Sequence, residues 1–133
     1  MADQFLRVEF ERGGSFRARL LKGEAPETTA LARKLLPMTT LAKQTRLDGM
    51  TLFFTTEQRG VVENPVPELK PGQFRFCPDG QYAGYFVLTY GERLHSPRPF
   101  NLFAVIEDDL EQLRQVGDRI WLKGAENITV RAD

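Results

Sequence analysis

The sequence predicts a mostly β chain, folded as a closed or nearly closed barrel of about eight strands with two helices capping its ends. Three observations predict it. Short segments with period-two alternation recur along the chain, separated by the turn residues Gly, Pro, Asn and Asp. Two segments of helical character lie towards the two ends, placed to plug the mouths of a barrel. No Pro/Gly-rich linker divides the 133 residues, so they are expected to form one domain over 1–133.

The opening is a hairpin. Leu6, Val8 and Phe10 alternate with Phe5, Arg7, Glu9 and Glu11, Gly13 and Gly14 form a turn, and Phe16, Ala18 and Leu20 alternate with Arg17 and Arg19. A helix follows from Pro26, a residue suited to the first helical position. Glu24 and Glu27 complement its start, and Arg33 and Lys34 its end. Thr28, Leu31, Leu35 and Met38 make its apolar stripe, and Pro37 stops it near Leu36.

The middle reads as strands at Ala42–Arg46 and Met50–Thr56 about an Asp48-Gly49 turn, with a short strand at Val61 and Val62. A loop follows from Asn64 to Gly72. Gln73–Cys77 and Ala83–Tyr90 are strands, and Arg93–Pro99 is a loop. The tail gives a strand at Asn101–Ile106, then a short helix capped by Asp108 and ended by Gly117. Two further strands follow, at Arg119–Lys123 and about Ile128 and Val130.

Eighteen basic and eighteen acidic side chains cancel. That balance argues against a general nucleic-acid or anionic-membrane binder. No apolar run is long enough to span a bilayer. The single cysteine, Cys77, cannot pair within the chain, and the first residues carry no leader pattern, so a cytoplasmic protein is expected. No phosphate loop, nucleophile elbow or metal-ligand spacing occurs, and no cofactor is expected.

The stretch from Phe16 to Leu36 resembles the second strand and first helix of the cyclophilins, including their Ala-Pro-x-Thr turn at Ala25–Thr28. Asn101–Leu113 resembles that family's Val-Phe-Gly-x-Val strand and following short helix. Glu63-Asn64-Pro65, Pro71-Gly72, Phe74-Arg75-Phe76 and Tyr90-Gly91 look like features of small prokaryotic cyclophilin-like proteins of unassigned function. The resemblance implies a cyclophilin-like barrel. It departs where prolyl isomerases carry Phe-His-Arg, since the corresponding strand reads Leu52 to Thr56. The arginine that polarises a proline amide is missing.

The candidate site residues follow. Glu63 and His95 are the expected acid/base pair; each also has a plain reading, Glu63 at the end of a strand and His95 exposed in a loop. Arg46, Phe54, Asn64, Tyr90 and Phe100 are the expected ligand-binding residues, an arginine for a carboxylate and rings for an apolar body. Cys77 reads as a buried structural cysteine.

The expected function is binding of a small polar organic compound, or acid/base chemistry on one. The alternatives are a prolyl isomerase or proline-peptide binder and an accessory or oligomerisation subunit. The expected partner is a small-molecule ligand, with homo-oligomers open.

Overall fold

The computed structural model describes residues 4–45, 50–92 and 99–133. Among the described residues nine strands and two helices follow in the order β1 (Phe5–Phe10), β2 (Ser15–Leu20), α1 (Pro26–Lys34), β3 (Met38–Gln44), β4 (Thr51–Thr55), β5 (Pro65–Val66), β6 (Gln73–Phe76), β7 (Tyr85–Thr89), β8 (Phe100–Ile106), α2 (Leu110–Lys123) and β9 (Glu126–Ala132). A single 3-10 turn, Gly80–Tyr82, precedes β7.

Eight strands close a barrel. They pair in the order β2-β1-β9-β3-β4-β7-β6-β8, and β8 returns to β2 through Ala18 opposite Ile106 and Leu20 opposite Ala104. Every pairing is antiparallel. The short β5 joins β8 where β2 leaves off, with Pro65 opposite Asn101 and Val66 opposite Phe100.

Alternation fixes which face is inside. Leu6, Val8 and Phe10 of β1 and Phe16, Ala18 and Leu20 of β2 are all buried, and their neighbours lean outward. In β6 all four residues are buried because both faces are covered. Phe74 and Phe76 join the core, while Gln73 accepts a bond from Lys70 N (3.1 Å) and Arg75 Nη1 donates to Val66 O (3.0 Å). Phe54, Phe74, Phe76, Phe86 and Phe103 fill the interior with ring centroids 4.8–6.2 Å apart.

The helices sit at opposite ends. α1 links the end of β2 to the start of β3, and α2 links the end of β8, antiparallel to β2, to the start of β9. The inner stripe of α2 is Leu113, Val116, Gly117 and Ile120. Gly117 does not end the helix. It lets α2 pass over Tyr90, whose ring a Cβ there would meet at 2.2 Å. The helix ends instead at Gly124, at φ 97°.

The strand expected at Arg119–Lys123 is therefore the last turns of α2. The alternation of Ile120 and Leu122 about Trp121 is incidental, for Ile120 is buried while Trp121 and Leu122 are 47% and 76% exposed. Asp108 does not cap this helix. Asp109 takes the cap position in a left-handed conformation, without a side-chain bond.

Met38 begins β3 rather than continuing α1, whose buried residues are Thr28, Thr29 and Ala32. Val61 and Val62 form no strand, and Pro65–Val66, expected within a loop, pairs with β8 instead. The Asp48-Gly49 turn lies outside the described residues.

Candidate functional site

The first helix begins without a cap of its own. Ala25 occupies the cap position, and alanine has no side-chain acceptor. The acceptor comes from 35 residues away, where a Glu63 carboxylate oxygen accepts a hydrogen bond from Thr28 N. Such a pairing also places negative charge at the positive end of the helix.

Asn101 of β8 ties the same pieces together. It is 1% exposed. Its Nδ2 donates to Val61 O (2.8 Å) and to Thr28 Oγ1 (3.1 Å), and its Oδ1 accepts from Glu63 N (3.0 Å). Asn64 stands beside it in a left-handed conformation at φ 48°, donating from Nδ2 to Leu102 O (2.9 Å). The segment through residues 58–64 is thus strapped to α1 and β8.

A cleft of about 300 Å³ opens between this segment and α1. It is lined by Glu27, Ala30, Leu31 and Lys34 of the helix and by Gln58, Arg59, Gly60 and Val61 opposite, with Thr28 at its edge. The four helical residues have i, i+3, i+4, i+7 spacing, one stripe beside the buried one.

The strap also sets the direction of the opposing wall. Glu63 lies at Thr28, and Gly60 lies at Leu31, 3.6 Å from an added Cβ to Leu31 Cδ1. The wall therefore runs antiparallel to α1. Arg59 falls towards the Lys34 end, and Glu27 towards the other.

The expected site residues divide between places. Glu63, Asn64 and Phe100 come together where β5 meets β8, and the Phe100 ring lies 5.7 Å from the Arg75 guanidinium. Phe54 is 3% exposed inside the barrel, stacked on Phe86 at 5.1 Å. Tyr90 is at the α2 end, 3% exposed, its hydroxyl accepting from Gln44 Nε2 (2.9 Å). Burial raises the Tyr90 pKa against a lowering by that bond. None of Glu63, Asn64, Phe100, Phe54 and Tyr90 lines the cleft; Glu63 and Asn64 hold the segment that forms its wall. Arg46 and His95 lie outside the described residues.

Cys77 is buried at the end of β6, its Sγ donating to Asp79 O (3.2 Å). Among the described residues no group of three or more His, Cys, Asp or Glu side chains could hold a metal ion.

Sequence reading missed the cleft for a physical reason. Leu31 falls on the expected apolar stripe of α1, and Glu27 and Lys34 read as charges that complement its ends, so nothing in the period marks an opening there.

Asn101→Ala is expected to cost about 2–3 kcal/mol, because it leaves buried partners without bonds. Amide exchange should quicken at Glu63, whose N–H Asn101 accepts. Protection unchanged at Glu63 would contradict the strap.

No family model matches the chain, and no curated protein matches it. Solved structures do. The structure of McbB in complex with tryptophan aligns at a TM-score of 0.80 and 19% identity, over 96% of this chain and 44% of that one. The chain thus spans less than half of the McbB chain. The solution structure of the hypothetical protein AF2241 from Archaeoglobus fulgidus aligns at 0.74 and 21% identity, over 99% of this chain and 96% of that one. At these identities the likeness is one of fold: this chain has the barrel fold of those two proteins.

Proposed function

We propose that this protein binds a small polar organic compound in the cleft between α1 and residues 58–61, on a barrel of the cyclophilin-like kind. One observation carries the reading. The barrel interior is occupied by its own phenylalanines, while the strapped cleft is open and lined by apolar Leu31 and Val61 together with charged groups of both signs. The McbB structure with tryptophan supports small-molecule binding by a protein of this fold.

Binding is the part of the reading that the geometry supports best. Glu63 was expected to move protons, and one of its oxygens is engaged at Thr28 N. In this reading Glu63, Asn64 and Asn101 hold the cleft wall in place.

The test is a thermal-shift screen of small polar metabolites, run in parallel on the native protein and on Ala30→Trp. Ala30 is exposed and lines the cleft, so the indole should fill it at a stability cost within about 0.5 kcal/mol. Compounds that stabilise the native protein should lose that effect on the variant. A compound at about 100 times its dissociation constant adds about 2.7 kcal/mol, well within detection. Equal stabilisation of both proteins would sink the reading.

A further inference from the structure

The cleft is charged asymmetrically along its length. Lys34 and Glu27 stand at its two ends, and the antiparallel run of the wall puts Arg59, next to Gly60, on the Lys34 side. Glu27 and Lys34 are seven residues apart on one helix face, about 10 Å at about 1.5 Å per residue. Between them lie Ala30 and Leu31, faced by Gly60 and Val61, with no charged side chain.

A guanidinium and an ammonium together make a carboxylate site, since arginine binds carboxylates through paired N–H donors and lysine adds a point charge. The opposite end does not repeat that chemistry. The N-terminus of α1 would ordinarily attract an anion, but Glu63 already takes the Thr28 N–H, and Glu27 adds a second carboxylate beside it. That end suits a cation.

We propose, resting on the cleft being a ligand site, that its ligand is an extended small zwitterion: a carboxylate at Lys34 and Arg59, an apolar spacer across Leu31 and Val61, and an ammonium at Glu27. A free ω-amino carboxylate has this chemistry; a dipeptide carries the same two separated charges, with an amide in the spacer and its apolar surface on the side chains. A compact α-amino acid does not, because its two charges share one carbon and cannot reach both ends.

The experiment is a set of titrations of the full chain with 6-aminohexanoate, alanyl-leucine, hexanoate, hexylamine and tryptophan, followed by the Leu31 and Val61 methyl signals in NMR. 6-Aminohexanoate or alanyl-leucine should bind most tightly, and which of the two does so identifies the source of the zwitterion. Hexanoate should follow at about tenfold lower affinity, with hexylamine and tryptophan weaker still.

Lys34→Ala and Arg59→Ala should each weaken every carboxylate probe about tenfold. Glu27→Gln should reduce 6-aminohexanoate to the affinity of hexanoate and leave hexanoate unchanged. Hexylamine or tryptophan binding as tightly as 6-aminohexanoate, or charge variants with native affinities, would overturn the assignment. If a neutral compound moves the same methyls and no carboxylate does, the zwitterion assignment falls and the binding site stands. If no compound moves them, both fall.

Discussion

Replacing Phe86 with alanine is expected to destabilise the protein by about 3–5 kcal/mol. Phe86 is 0% exposed and meets four rings: Phe54 at 5.1 Å, Phe74 at 6.1 Å, Phe76 at 4.8 Å and Phe103 at 5.7 Å between centroids. Those rings come from β4, β6 and β8, and Phe86 itself from β7. The void would therefore open where four strands converge, with neighbours too tightly set in a closed barrel to collapse into it. Urea denaturation reads the effect as a lower midpoint at unchanged slope. A loss below about 1 kcal/mol would mean that the interior repacks freely. Phe86→Leu should cost less, since it removes fewer of the buried atoms.

Replacing Glu126 with alanine should cost about 3 kcal/mol, the lower end of what breaking a buried ion pair costs. The Glu126 side chain is 1% exposed and bridges the start of β9 to two arginines, Arg119 of α2 at 2.8 Å and Arg12 of the first turn at 2.9 Å. Arg119 also donates to Gly13 O at 2.8 Å. The carboxylate thus fastens α2 to the β1–β2 hairpin and to β9 together. The side chains of Arg119 and Arg12 are 24% and 35% exposed, so water partly compensates them once the carboxylate is gone.

The pH dependence has a definite sign. Burial pushes the Glu126 pKa up, but the hydrogen bonds and charges of Arg119 and Arg12 outweigh it and leave it below the ordinary 4.5. A depressed carboxylate stabilises the fold fully above its unfolded value, and that stability is lost as pH falls through the folded value. Stability of the native protein should therefore decline below about pH 4.5. Glu126→Gln should decline less over the same range. Parallel declines in the two proteins would remove Glu126 from the explanation.

The barrel was legible because its strands are patterned. Leu6, Val8 and Phe10 alternate without interruption, and burial follows that alternation residue by residue. Legibility failed where one residue type served two purposes. Gly117 looks like a helix stop in the sequence, yet it answers to a ring, Tyr90, that is 27 positions away in the chain. Met38 fits the helical period of α1 but is claimed by pairing with Val130.

The site was legible only in part, for the same reason. Glu63 and Asn64 stood out as polar residues beside valines, and they hold the wall of the cleft. The charges that line the cleft are Glu27 and Lys34, which the sequence marks only as complements to the ends of α1, and Arg59, which it does not mark at all. The bond from Thr28 N to Glu63, and the bonds from Asn101 to Thr28 Oγ1 and Val61 O, bring the two walls together. The rings expected to form the pocket, Phe54 and Tyr90, are spent on the core and on the α2 contact.

The most direct test of the account is a methyl chemical-shift map of a bound ligand. Leu31 and Val61 line the cleft, whereas Leu52 and Leu88 lie buried in the barrel core, 1% and 2% exposed. A saturating ligand should move the Leu31 and Val61 signals and leave Leu52 and Leu88 in place. Shifts centred on Leu52 and Leu88, with Leu31 and Val61 still, would place the ligand inside the barrel and contradict the account.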